Sequence, residues 1–405
     1  MKKTVAIIGA LDTKGREFKF LKEQIEAHGV ATFVIDVGVL GKPYFTPDVS
    51  AAKVAKAAGE NLAKLIKGAD RGYSVAVMCR GAAAIARQLY DQGKFHALIS
   101  MGGGAGTNIG TSAMRALPTG VPKLMVSTMA SGDTRPFIGT KDITLMPSVV
   151  DISGINRISE RILVNAAGAI AGMVKAKIKA GTTQKPAIAA TMFGVTTPCV
   201  TKARELIEAA GHEVLVFHAN GVGGRTMEDL IRSGFFDGIL DITTHELADE
   251  LVGGIRSAGP DRLEAAGEMG IPQVVSAGAL DMVNFGPPET VPAKFKGRTF
   301  YQHSPTTTLM RTTKEENKHL GEIIARKLNR AKGPVRFIMP KKGVSFIDRI
   351  GQPFYDAEAD AALAKSLRDN LNSKVEFVEM DTDINDPQFA TKAVELLLGI
   401  LKRSR

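Results

Sequence analysis

Short apolar runs alternate along the first half of the chain with longer stretches whose apolar positions recur every three or four residues. Thr4–Gly9, Ala31–Val37, Ser74–Met78, His96–Met101 and Lys123–Ser127 read as buried strands. Between them, Phe18, Leu21 and Ile25 have helical spacing, as do Val54, Ala57, Leu62 and Leu65. The alternation predicts a parallel sheet covered on both faces by helices. Right-handed crossovers then bring the C-terminal ends of the strands to one edge. The loops Gly9–Gly15, Asp36–Gly41, Cys79–Gly81, Gly102–Gly106 and Ser127–Asp133 are expected on that edge.

A helical pattern over Ile155–Lys179 closes this part and runs into the polar stretch Ala180–Pro186. The reading is a first domain over 1–180, a linker over 181–185 and a second domain over 186–405. The second domain begins as a repeat of the first. Gly9-Ala10-Leu11-Asp12-Thr13-Lys14-Gly15 aligns without a gap onto Thr191-Met192-Phe193-Gly194-Val195-Thr196-Thr197, and Glu23, Ile25, Glu26, Ala27 and Gly29 match Glu205, Ile207, Glu208, Ala209 and Gly211. Further on, Gly120-Val121-Pro122 matches Gly270-Ile271-Pro272. Between these anchors the second domain is shorter by about thirty residues, the length of one strand–helix unit. It regains strands at Val335–Met339 and Lys374–Glu379. The fold class is therefore α/β, two Rossmann-like parallel-sheet domains related by an internal repeat.

Composition narrows the function. The 405 residues carry a net charge of +10, but the basic residues are scattered, with modest clusters at Lys175–Lys185, Arg326–Lys342 and Lys402–Arg405. No tryptophan is present and aromatic residues are not interleaved with these clusters, which argues against a nucleic-acid platform. No apolar segment has the length of a membrane span, and the opening apolar run ends too early, at Asp12-Thr13-Lys14, for a signal sequence. Two cysteines, Cys79 and Cys199, suit a reducing cytoplasm and supply neither a disulfide framework nor a zinc site.

The chemistry concentrates in glycine-rich loops. Ala97–Thr111 reads as strand, turn and helix start, with Gly102, Gly103, Gly104, Ala105, Gly106 and Thr107 at the junction. Backbone N–H groups converging at a helix N-terminus make an anion site, and glycine permits positive φ or close approach of a ligand. A tight packed turn would use the same residues. No Gly-Lys-Ser/Thr follows, so this is not a P-loop, and its late place in the domain separates it from the dinucleotide fingerprint. On the same edge, Asp12, Thr13 and Lys14 are candidates for phosphate contact, with Asp12 as a water-mediated Mg²⁺ ligand. Asp36 stands where dinucleotide folds place a ribose-binding acid, but without the preceding glycine motif.

In the second domain, His218–Arg225 is another glycine-rich loop, and Asp241–Glu246 follows the next strand. His303 and Arg311 bracket Ser304–Thr308. His218, His245, Glu246 and Arg311 are the candidate catalytic residues, since a histidine beside carboxylates can act as acid, base or metal ligand. His218, His245 and Arg311 are expected to share one pocket. No nucleophile elbow, cysteine–histidine signature or paired-histidine metal motif is present.

GALDTKG, SMGGGAGTN, MPSVVDISGINRIS, FHANGVGGRTME and HSPTTTLMRTT resemble an uncharacterised family of bacterial and fungal proteins, similar to the N-terminal domain of the tomato mosaic virus resistance protein. The resemblance spans essentially the whole chain. It implies two Rossmann-like subdomains, a homo-oligomer, and ATP with Mg²⁺ at Gly9–Gly15 and Gly102–Thr107. The chain is expected to end soon after its second domain, so activities of an extension are not assigned to it. Two functions follow as expectations. One is a cytoplasmic enzyme acting on a small anionic metabolite with ATP as cosubstrate or effector. The other is a nucleotide-binding regulatory or scaffold protein without turnover; a sugar- or acid-binding protein that closes on its ligand is a third.

Overall fold

The computed structural model describes residues 3–177 and 185–403, apart from the side chain of Arg403. Most of the expected 181–185 linker and the Ser404-Arg405 end of the basic tail lie outside them. The chain divides into two compact units, Met1–Gly181 and Thr182–Arg405.

The first unit runs β1 (Thr4–Gly9), α1 (Gly15–Ala27), β2 (Ala31–Asp36), α2 (Ala51–Ala57), α3 (Leu62–Gly68), α4 (Arg71–Asp91), β3 (Ala97–Gly102), α5 (Gly104–Arg115), β4 (Lys123–Ser127), α6 (Arg135–Ile138), β5 (Thr144–Pro147) and α7 (Arg157–Lys175). Its sheet has the order β2-β1-β3-β4-β5, all parallel. Alternate strand residues feed two cores. Val5, Ile7, Ile99 and Val126 pack with Phe18 and Leu21 of α1 and Leu163 and Ile170 of α7. Ala6, Ile8, Leu98 and Met125 pack with Val54 of α2, Val77 and Ala82 of α4 and Ile109 of α5. Burial on both faces is why these strands read as unbroken apolar runs.

The expected strand Ser74–Met78 is instead part of the 21-residue helix α4, and Cys79-Arg80-Gly81 is helical, not a strand-end loop. Its buried residues Ser74, Val77, Met78, Gly81, Ala82 and Ala86 follow the helical period. Asp70 caps it by accepting from Tyr73 N at 2.9 Å. A Cβ on Gly81 would lie 2.1 Å from the Val54 carbonyl oxygen, so glycine there permits close contact with α2. The run Ser-Val-Ala-Val-Met is too short to tell the two periods apart.

The second unit runs β6 (Ala187–Met192), α8 (Thr197–Ala209), β7 (Glu213–His218), α9 (Val222–Arg232), β8 (Gly238–Thr243), α10 (Glu246–Val252), α11 (Ala265–Met269), β9 (Gln273–Gly278), β10 (Met282–Phe285), β11 (Phe300–Ser304), β12 (Thr307–Arg311), α12 (Lys314–Leu328), β13 (Val335–Pro340), α13 (Ala357–Asn370), β14 (Val375–Met380) and α14 (Pro387–Arg403). Its parallel sheet has the order β14-β13-β9-β8-β6-β7, and β10-β12-β11 forms a separate antiparallel sheet. The neighbours β2-β1-β3-β4 recur as β7-β6-β8-β9, so the repeat is structural. The second unit's shortfall is not a strand–helix unit: α2, α3 and α4 lie between β2 and β3, but only α9 lies between β7 and β8. Asn284, His303 and Arg311 belong to the small sheet.

Candidate functional site

In each unit the chain leaves the first strand to one side and returns on the other, so the crevice at the C-terminal ends of β1 and β3, or of β6 and β8, is the topological switch point where doubly wound sheets bind ligands. In the first unit this edge carries Ala10–Lys14 and the start of α5. Gly103 is the N-cap of the 12-residue α5, and no side chain caps it. The first amides of a helix have no intrahelical acceptor, so its positive end remains available.

The four glycines are there for different reasons, and none takes positive φ. A Cβ on Gly102 would lie 2.6 Å from Gly106 Cα, and one on Gly106 would lie 3.3 Å from the Met101 carbonyl oxygen. Both serve the close approach of strand to helix. A Cβ on Gly104 would meet nothing within 4 Å, and one on Gly103 only Thr128 Oγ1 at 3.7 Å. Nothing inside the unit requires these two to be bare. Thr107, by contrast, is fully buried, its hydroxyl 2.7 Å from Ser127 Oγ and donating to the Gly102 carbonyl at 3.2 Å. It fixes the turn and does not face a ligand. Ala105 is half-buried in the first turn.

The neighbouring loop is tied down by the chain after β2. Asp12 Oδ2 accepts from Leu40 N at 2.7 Å and Gly41 N at 3.1 Å, while the buried Asp12 Oδ1 has no partner among the described residues. Gly38 lies against it, since a Cβ there would sit 2.6 Å from Asp12 Cγ. Asp36 Oδ1 accepts from Leu11 N at 3.1 Å and Gly38 N at 2.9 Å. Asp36 is a structural tie between loops; burial raises its pKa above the usual carboxylate range, against those two amides. Thr13 is exposed, and the half-buried Lys14 has no acceptor for its ammonium among the described residues. No group of three or more metal-ligating side chains is present among the described residues, so Asp12 offers Mg²⁺ at most one free carboxylate oxygen.

The equivalent edge of the second unit is filled. After β8, His245 and Glu246 are fully buried. Arg262, also fully buried, donates to Asp241 through Nη1 at 2.5 Å and Nη2 at 2.7 Å, and to Glu246 through Nε at 2.7 Å. Glu228 completes the ring at 3.3 Å and accepts from Leu263 N and Ala265 N. Burial raises the Glu228 pKa, with Arg262 opposing. Glu246 Oε1 accepts from Gly221 N and Gly224 N, so the start of α9 is closed by an internal carboxylate. His245 donates through Nε2 to the Ala219 carbonyl, while Nδ1 faces Asp249 at 3.2 Å and Asn284 at 3.3 Å. His245 and Glu246, expected as catalytic residues, are thus fully buried and engaged by internal partners.

No hydrogen bond or ion pair among the described residues joins Arg311 to His218 or His245. His218 and His245 do flank the same ring, Phe193, at centroid distances of 5.4 and 4.4 Å. His218 is exposed at the surface but partly desolvated by its neighbours, which lowers its pKa, assisted by Arg256 and His245. Arg311 donates to the Phe354 carbonyl at 2.7 Å, Asp360 at 2.7 Å and Asp348 at 3.2 Å. Around it burial pushes Asp281 up to about 6 and Asp348 up to about 10, and raises Asp360 as well. Asp360 borders a groove of about 530 Å³ with Lys341, Lys365, Arg368 and Tyr355. Arg262, Asp249, Asp348 and Asp360 were missed by sequence reasoning; an aspartate inside the apolar strand Gly-Ile-Leu-Asp-Ile-Thr was the signal that a buried cation must meet it.

These features define a two-unit α/β protein with one open glycine-rich switch point. Residues 3–179 match the N-terminal domain, and residues 185–401 the C-terminal domain, of an uncharacterised protein family, UPF0261. The chain belongs to that family. It is 55% identical over 404 residues to a UPF0261 protein of Clostridium tetani, covering 100% of each chain. It is 46% identical to a UPF0261 protein of Rhizobium meliloti, covering 97% of this chain and 98% of that one. The tomato (Solanum lycopersicum) ToMV resistance protein Tm-1(GCR237) is 41% identical over 426 residues, covering 99% of this chain but 56% of the tomato protein. A UDP-N-acetylglucosamine 2-epimerase from Rickettsia bellii aligns over 68% of this chain and 79% of its own at 10% identity, with a TM-score of 0.25 that carries no functional argument. No helix among the described residues is long and apolar enough to cross a membrane.

Proposed function

We propose that the chain is a nucleotide-binding protein of the cytoplasm, assembling as a homo-oligomer, whose first unit holds the phosphates of ATP at the start of α5. The observation that carries this reading is the uncapped α5 N-terminus at the switch point, with Gly103 and Gly104 bare for no internal reason. The amides of Gly103–Gly106 and the unpaired Lys14 ammonium would meet the phosphates, and the orphan Asp12 Oδ1 would face Mg²⁺ or its water. Mg²⁺ there would neutralise phosphate charge. The reading favoured for the whole chain is an enzyme acting on a small anionic metabolite, because an exposed imidazole, His218, remains in the second unit. A regulatory protein without turnover is the second reading, favoured by the burial of His245 and Glu246. The virus resistance named in the tomato relative is not carried over.

Calorimetric titration with Mg–ATP tests the site. Lys14→Ala should weaken binding by about 1.5–3 kcal/mol, the worth of a charge-assisted hydrogen bond. Unchanged affinity removes Lys14 from the site, and no heat with any nucleotide at millimolar concentration ends the proposal. ATP turnover with and without small acids separates enzyme from regulator.

A further inference from the structure

The motif His218–Arg225 does not serve the nucleotide reading, and the start of α9 that it forms is closed by Glu246 and by Asn220, which accepts from Gly223 N at 3.0 Å. What the motif leaves outside is His218. Beside it stands Arg256, from the loop after α10, with its guanidinium carbon 5.0 Å from the centroid of Phe193. Arg256 and His218 therefore flank one aromatic ring at the switch point of the second unit. The Arg256 guanidinium has no carboxylate, carbonyl or hydroxyl acceptor among the described residues.

Arg256 is also built in. Its N–H donates to Asp249 Oδ1 at 3.2 Å, an oxygen that also accepts from Asn284 N at 3.0 Å. Ile255 N donates to the Asn284 carbonyl at 2.8 Å, and Gly254 N to the Asp249 carbonyl at 2.8 Å. Beneath its carbonyl lies Gly221 at φ +88, where a Cβ would come 3.2 Å from the Arg256 oxygen. The completely buried group of His245, Asp249 and Asn284 thus fixes the backbone that presents Arg256, while the His218 carbonyl is packed against Gly223, where a Cβ would fall 1.8 Å away. A half-buried arginine held this firmly, over a ring and with no hydrogen-bonded counterion among the described residues, is arranged to receive one.

We infer that Arg256 and His218 form an oxyanion-binding site over the face of Phe193, taking a phosphate or carboxylate group of a small metabolite. This places the anionic metabolite of the proposed function in the second unit, and it stands independently of the nucleotide reading. The electrostatics agree. Burial lowers the Arg256 pKa with only Asp249 opposing, and Arg256 and His245 both lower that of His218 while Glu246 opposes. An oxyanion between the two would relieve both and favour the imidazolium.

The test is the pH titration of the His218 imidazole by NMR, assigned by its loss in His218→Gln, in chloride, inorganic phosphate and citrate. It is run in wild type and in Gly103→Asp, so that failure of the nucleotide site leaves the result readable. Phosphate or citrate should raise the His218 pKa saturably; phosphate alone identifies a phosphoryl ligand, citrate alone a carboxylate. Arg256→Gln should raise the anion-free value, by removing the neighbouring cation, and abolish the response to the anion. The inference is overturned if His218 titrates alike in all three salts, or if Arg256→Gln leaves the anion response intact.

Discussion

The turns after β3 and after β8 occupy the same place in the repeat and have opposite interiors. After β3, Gly103 and Gly104 leave space and an uncapped helix start. After β8, His245 and Glu246 turn inward, and Arg262 locks that end of the sheet to Asp241 and Glu228. A repeat at the level of strand order has thus become one unit with an open, uncapped helix start and one held together by buried charge. At the second unit's switch point the exposed His218 and the half-buried Arg256 stand beside that plug. The difference teaches that equivalence of fold does not carry a ligand site with it; a site persists only where polar groups remain unspent.

The contrast is broken most severely by removing the cation of the plug. Arg262→Met leaves Asp241, Glu228 and Glu246 uncompensated in a dry interior and should cost about 3–5 kcal/mol in denaturant unfolding. A loss confined to a few tenths would show that water reaches the cluster. In the first unit, Gly102→Ala drives a Cβ against Gly106 backbone, and strain of this kind costs about 1–3 kcal/mol. A thermal melt identical to wild type would contradict the packing role assigned to Gly102.

Buried charge also gives the second unit a pH signature. Asp281, at about 6, and Asp348, at about 10, hold protons more tightly when folded than an ordinary aspartate does. A group whose pKa is raised on folding contributes stability in full below its unfolded value, near pH 4, and loses it as pH rises through the folded value. The Arg311 cluster should therefore weaken from about pH 4 upward, through about 6 for Asp281 and towards about 10 for Asp348. Asp348→Asn keeps the shape and removes the titration, so its unfolding free energy should fall less than that of wild type between about pH 7 and 10. Parallel curves for the two proteins would exclude Asp348 as the proton store.

Much of this architecture could be read from local pattern. β1, β2, β3 and β4 coincide with the expected runs to within a residue, and the Gly120 and Gly270 anchors lead into β4 and β9. Strands buried on both faces announce themselves without reference to distant sequence. The interior of Ser74–Met78 did not, because five apolar-rich residues satisfy either period and only their partners on α2 decide. The charged clusters were less legible still. Arg262 meets Asp241 across 21 residues and Arg311 meets Asp360 across 49, and no spacing rule connects them. His245 and Glu246 have the composition of an active site, and their complete burial was not legible in that composition. Gly102–Gly106 was legible as a special turn, but the division between packing glycines and open ones is set by how closely the turn approaches its own helix, which composition does not encode.

Gly103→Asp tests the open cradle most directly. Aspartate at the N-cap meets no close contact, since the nearest atom to its Cβ is 3.7 Å away, and should stabilise α5 by a few tenths of a kcal/mol relative to glycine. The same carboxylate would occupy the amides and repel phosphate. Melting temperature and Mg–ATP affinity measured on one preparation should therefore move apart: stability equal to or slightly above wild type, with Kd weakened by at least about tenfold, or 1.4 kcal/mol. A variant that is stabilised and still binds Mg–ATP as tightly as wild type would contradict the claim that the α5 N-terminus is the phosphate site.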